Sequence, residues 1–121
     1  MYRELGNMEL QFAELIWENA PIKTGELCRI CEDKLNWKRT TTYTVLKKLC
    51  NEGIFCNTDG TVITLKNKDE YESELSRQYV TDKFSGTLPC FIAAFTRGRG
   101  LTPDEADELM RLIDSFKGGV A

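Results

Sequence analysis

The chain has 121 residues, 41% of them hydrophobic and 29% charged, with 16 Lys and Arg against 19 Asp and Glu and a net charge of −3. That length holds one compact domain with an appendage, or two very small units, and cores this small are marginal without oligomerisation. Histidine is absent, which excludes Ser-His-Asp and Cys-His catalysis and removes the commonest metal ligand, so no enzyme is expected.

A sequence pI near 5.1 argues against a uniformly basic surface. The distribution of charge matters more. Lys34, Lys38, Arg39, Lys47 and Lys48 lie within one stretch that holds no acid, while most of the net negative charge falls from Asn67 onward. A local cluster of that kind can grip phosphates on an acidic protein. No run of about 18 apolar residues is present, and the start, Met1-Tyr2-Arg3-Glu4, lacks a signal-peptide core. A cytoplasmic protein without membrane insertion is expected. The five cysteines are an odd count with no secretory signal, so reduced thiols are the default. Arg97-Gly98-Arg99-Gly100 has neither the spacing nor the preceding strand of a phosphate loop.

In chain order, the first predicted helix runs from about Met8 to Asn19, with Asn7 as its N-cap and Met8, Phe12, Leu15, Ile16 and Trp17 on its inner face. Ala20-Pro21 ends it. A second helix spans about Thr24 to Leu35, with Leu27, Ile30, Cys31 and Leu35 as its apolar stripe. A third spans about Arg39 to Glu52 and turns Thr42, Leu46, Leu49, Cys50 and Val45 inward, with Gly53 as its stop. Ile54-Phe55-Cys56 and Val62-Ile63-Thr64-Leu65 are β-prone, and Asp59-Gly60 between them favours a tight hairpin turn with positive φ. Three helices followed by a short hairpin is the order of a winged helix.

Beyond it, Asn67 to about Phe84 reads as a charge-rich helix broken by Gly86, Leu88 to Arg97 as a short apolar helix, and Thr102-Pro103-Asp104-Glu105 as the capped start of a last helix ending near Gly118-Gly119. Three short helices cannot bury their apolar anchors alone. Tyr71, Leu75, Tyr79, Phe84, Phe91, Ile92, Phe95, Leu109, Ile113 and Phe116 are therefore expected to form half of a homodimer. The fold class is mainly α: a winged helix over residues 1–66, then a helical dimerisation region over 67–121.

The third helix carries the chemistry. With Leu46 at the centre of the buried face and 100° per residue, Thr40, Thr41, Thr44, Lys47, Lys48 and Asn51 fall on the opposite face. Tyr43 lies at the flank, and Lys38 and Arg39 stand at the first turn. Threonine is a poor helix former, so solvent exposure alone does not explain this face. Threonines can meet base edges or a thymine methyl, the lysines suit phosphates, and Arg39 could take a guanine or a phosphate. Thr58 and Thr61 at the wing turn would lie near a neighbouring phosphate or the minor groove. Double-stranded DNA is the expected partner, with no cofactor.

Several stretches together resemble the penicillinase-repressor (BlaI/MecI-type) family of winged-helix regulators: Met8-Glu9-Leu10 through Leu15-Ile16-Trp17; Pro21 through Glu26-Leu27; Trp37, Thr41, Thr44, Leu46, Leu49 and Glu52-Gly53; Asp69-Glu70-Tyr71; and Leu101 through Leu109. The resemblance implies a dimeric repressor that occupies a palindromic operator. In antibiotic-sensing members, a membrane sensor protease triggers cleavage in the penultimate helix at an Asn-Phe bond. The matching bond here is Ala94-Phe95, which keeps the Phe and lacks the Asn. Lys38-Arg39 stand where the family usually has Ser-Pro, and the wing is abbreviated.

Cys28 and Cys31 sit one helical turn apart, and Cys50, Cys56 and Cys90 are scattered. A single Cys-x-x-Cys without histidine is a weak metal signal, and no metal site is expected. Two alternatives stay open at this level: a winged-helix protein-interaction module without DNA affinity, and a thiol- or metal-responsive repressor.

Overall fold

A computed structural model of the chain describes residues 4–84 and 87–118. Its elements run α1 (Asn7–Asn19), β1 (Ile22–Lys23), α2 (Thr24–Leu35), α3 (Arg39–Asn51), β2 (Phe55–Thr58), β3 (Thr61–Thr64), α4 (Lys68–Lys83), α5 (Leu88–Gly98) and α6 (Pro103–Phe116). This is a winged helix followed by a helical region, the class expected. Contacts divide the chain into two compact units, Met1–Gln78 and Tyr79–Ala121.

The first unit is built around one apolar cluster. Phe12, Ala13 and Ile16 of α1, Leu27 and Cys31 of α2, Leu46 and Leu49 of α3, and Ile54, Phe55 and Val62 of the hairpin region all turn into it. Helical spacing puts i, i+3 and i+4 on one side, and each helix contributes such a set. Trp37 lies between α2 and α3 and stacks on Phe12, ring centroids 5.2 Å apart. Asn36 before it adopts a left-handed conformation (φ 57°), which asparagine tolerates well, and so turns the chain into α3. The Trp17 indole N–H donates to the Lys66 carbonyl at 2.9 Å, and its ring lies 5.7 Å from that of Phe55.

Four details differ from expectation. α1 is capped at Gly6, one residue earlier, because the Glu9 carboxylate accepts the Gly6 N–H at 3.0 Å. Met8 is exposed, on the solvent side of the first turn. Ile22–Lys23 pairs with β3 as a third strand, giving the sheet order β1-β3-β2; two residues are too few to show a strand period. Tyr71, expected on the dimerisation face, belongs to the first unit's own core. It is 3% exposed, its hydroxyl accepts the Leu5 N–H at 2.9 Å, and its ring packs near Trp17. Leu75 packs against the same cluster.

The hairpin turn is as predicted. Asp59 and Gly60 both have positive φ, 52° and 81°, the signature of a type I′ turn whose twist suits two joined strands. Thr58 and Thr61 face each other across it. The start of α2 is fastened to this turn, since the Thr24 N–H donates to the Gly60 carbonyl at 2.9 Å. α4 begins with a reciprocal cap: Asn67 Oδ1 accepts the Glu70 N–H at 2.8 Å, and Glu70 Oε1 accepts the Asn67 N–H at 2.9 Å.

The second unit differs in kind. None of its described residues, 79–84 and 87–118, is buried. Its helices are locally well specified: Thr87 caps α5, and Thr102, Pro103 and Glu105 start α6 with a full capping box. Tyr79, Phe84 and Phe91 form an aromatic ladder, with Phe84 5.1 Å from Phe91 and edge-on to it. Gly86 and Gly119, expected to end helices, lie outside the described residues.

Candidate nucleic-acid interface

α3 buries one side and presents the other. Thr42, Leu46 and Leu49 are buried, whereas Thr40, Thr41, Tyr43, Thr44, Lys47, Lys48 and Asn51 are all exposed, as are Lys38 and Arg39 at its start. These residues form one continuous face. Thr42 is the buried polar residue of the core, 1% exposed. Its hydroxyl donates to the Lys38 carbonyl at 3.4 Å and also meets the Cys31 thiol.

The exposed threonines are not equivalent. The Thr44 hydroxyl donates back to the Thr40 carbonyl at 2.9 Å. Its proton is thereby engaged, and Thr44 offers a ligand its oxygen lone pairs and its methyl group. The two lysines also differ. Lys48 is paired with Glu9 of α1, Nζ to Oε2 2.7 Å. Lys47 makes no ion pair among the described residues. The first turn of α3 holds no acid, and no side chain caps its N-terminus, so the backbone N–H groups there add to the positive field of Lys38 and Arg39.

The wing is less basic than the helix. Thr58 and Thr61 flank a turn whose tip is Asp59, and Thr61 is half-buried. β1 supplies what sequence reasoning missed. Lys23 is in register with Thr61 and exposed, so a cation stands at the edge of the wing. Its only sequence signal is a lysine two residues after a helix-ending proline.

Phe95 and Phe116, expected as dimer anchors, are 46% and 66% exposed. Tyr79 and Ile113 are also exposed, whereas Phe84, Phe91, Ile92 and Leu109 are half-buried. Leu88, Leu101, Met110 and Leu112 are further exposed apolar side chains that were not among the expected dimer anchors. Leu112 follows from helical spacing, lying on the same ridge as Leu109 and Phe116. Ala94 is half-buried within α5, and the Arg99 guanidinium covers the Phe95 ring at 4.9 Å. Arg99 is held in turn by both oxygens of Glu105, at 3.1 and 3.0 Å.

Among the described residues, no group of three or more His, Cys, Asp or Glu side chains converges as a metal site, and no helix is long and apolar enough to cross a membrane. All five cysteines are free: Cys28 and Cys31 are buried, Cys50 and Cys56 half-buried, and Cys90 exposed. None of the curated proteins matches the chain. The sequence model of one protein family, described as penicillinase repressor, matches residues 5–115.

Proposed function

The chain belongs to the penicillinase repressor family, a family of transcriptional regulators, and from that premise we propose that it is a homodimeric, sequence-specific DNA-binding repressor that acts by occupying its operator. The observation that carries the reading is the outward face of α3. Thr40, Thr41, Tyr43, Thr44, Lys47, Lys48 and Asn51 stand exposed on one side of a helix whose other side is locked into the core. Short hydroxyl side chains let the helix approach base edges, and the lysines, with Lys38 and Arg39 at the helix start, hold phosphates that fix its register. Two such helices in a symmetric dimer would enter successive major grooves of a palindromic site on one side of the duplex and exclude polymerase. Thr58, Thr61 and Lys23 would follow the backbone beside it.

The dimer is supported by the second unit, whose helices carry many apolar side chains and bury none of them. Exposed apolar area on that scale marks an association surface, and a second copy of the same helices is its natural cover. Phe95 fits this dimer face. As the matching position for sensor-protease cleavage, the Ala94–Phe95 bond lies in mid-α5, so a protease would first have to unwind the helix. The site of action is the cytoplasm.

The test is a binding titration of the protein on the intergenic DNA upstream of its own gene, beside a random duplex, across a range of salt. Tight, saturable binding that prefers the upstream DNA and falls steeply with salt is expected, because each neutralised phosphate releases counterions. Absence of binding even at low salt would move the reading to a protein-interaction module.

A further inference from the structure

A groove of about 500 Å³ runs between α3 and the hairpin, and it is lined by Tyr43, Lys47 and Cys50 on the helix side and by Cys56, Asn57 and Leu65 on the other. Cys50 and Cys56 thus line one groove that also takes in Tyr43 and Lys47 of the candidate DNA-reading face. β2 is an edge strand. In a two-residue hairpin the pair flanking the turn is hydrogen-bonded. Thr58 and Thr61 hold that place, so Asn57 points its N–H away from β3 toward the open edge. The Asn57 amide lies near enough to the Cys50 thiol to pull against the rise that burial gives it. Cys56 also acts on the Cys50 thiol, and both residues line this one groove.

We propose that Cys50 and Cys56 are a peroxide-responsive thiol pair that closes to a disulfide across this groove and fastens the last turn of α3 to the wing. The two thiols have different parts. Cys56 lies 3.3 Å from the Thr58 hydroxyl at the open edge of the sheet, where peroxide can reach it. Cys56 is the attacking thiol. Its sulfur takes one oxygen from hydrogen peroxide, giving a sulfenic acid and one water. The Cys50 thiol then attacks that sulfur; the S–O bond breaks, a second water leaves, and the disulfide forms. Burial pushes the Cys50 thiol up, as does the neighbouring Cys56, while the Asn57 amide works against both, so Cys50 is not the thiol that meets peroxide first. Cys28 and Cys31 are buried in α2, and burial holds Cys31 protonated with a pKa of about 11. Cys90 is exposed on the other unit with no thiol described beside it.

The bond draws β2 toward α3 and so shifts the wing tip relative to the helix face. That consequence rests on the reading of α3 as the DNA-reading helix; formation of the bond does not.

The experiment treats the full-length reduced protein with hydrogen peroxide, alkylates the remaining thiols, and maps the linked peptides by mass spectrometry. A Cys50–Cys56 link that a thiol reductant reverses is expected. Cys50→Ser should stop at the Cys56 sulfenic acid, which a 1,3-dione captures, and Cys56→Ser should leave Cys50 unlabelled. Both thiols remaining open to alkylation, or a link from either one to Cys90 of another copy, would overturn the pair. In the same samples the oxidised protein should lose about ten-fold in affinity for the upstream DNA and regain it on reduction. A mapped link with unchanged affinity overturns the coupling to DNA. Reduced protein that binds no DNA marks failure of the repressor reading, and the peptide map still decides the thiol pair.

Discussion

The two units carry similar densities of apolar side chains and use them in opposite ways. In the first, thirteen residues from Leu5 to Tyr71 close into one cluster with exposures from 0% to 6%, and Tyr71 and Trp17 satisfy their polar atoms inside it. In the second, α5 and α6 have strong caps and apolar stripes but no buried residue. Caps and propensity define a helix, whereas most helical stability in proteins comes from packing of an apolar face. The first unit therefore has what it needs to stand alone. The helices of the second have their ends specified and their faces unspent, the pattern expected of a chain that finishes folding by association.

Phe12→Ala tests the first half of that comparison and should have the largest effect. The side chain is fully buried and stacked on Trp37, so its removal should cost about 3–5 kcal/mol, a large part of the total stability of a small domain. Both tryptophans, Trp17 and Trp37, lie in this unit. Urea unfolding followed by tryptophan fluorescence therefore reports on the unit by itself. An unchanged midpoint would mean that the cluster is not what holds it.

The pair Ile113→Asp and Phe116→Asp tests the other half. Both side chains are exposed on α6, so within one copy the charges cost little. In a dimer they would sit in the interface. Sedimentation should show monomers, and affinity for the upstream DNA should fall on the order of 100-fold, because the second recognition helix is no longer tethered at high local concentration. The tryptophan unfolding midpoint should stay where it was. A variant that remains dimeric would place the interface elsewhere.

The same contrast explains how much could be read from the sequence. The helices of the first unit are legible because burial gives each a 3.6-residue period, and Asp59-Gly60 is legible because a turn needing two positive φ values accepts few residue pairs. The start of α6 is legible from Thr102, Pro103 and Glu105 alone. β1 is not, because Ile22 and Lys23 become a strand only by meeting Val62 and Thr61. Tyr71 looks like an α4 anchor of the dimer because periodicity shows that a residue is buried and not what covers it. The same holds on α3: spacing put Lys47 and Lys48 on the outward face, but the Glu9 contact comes from α1.

That contact gives a smaller, sharper test. Lys47→Ala should weaken binding several-fold on specific and random DNA alike and flatten the salt dependence by about one counterion. Lys48→Ala should do less, since its ammonium already spends part of its charge on Glu9. Thr41→Ala should instead alter the preference between sequences, as expected where a side chain meets a base edge. Equal losses for the two lysine variants would mean that the Glu9 pair gives way whenever DNA is bound.

The smallest effect concerns acid and belongs to the second unit. Glu105 caps α6 through the Thr102 N–H and grips Arg99, and the Arg99 guanidinium, followed by the Thr102 backbone, pulls its carboxyl from the ordinary 4.5 down to about 2. A folded-state pKa below the unfolded one means that the stabilisation is fully present above about pH 4.5 and drains away as pH falls toward 2. The group is exposed, so solvent limits its size. Circular dichroism of the wild type should lose helix across that window, ahead of the tryptophan signal from the first unit. Glu105→Gln, which keeps much of the cap and removes the charge, should give up that step and leave the later one in place. If the two signals fall together in the wild type, the second unit does not unfold on its own account, and its helices owe their order to the first unit as well as to the partner.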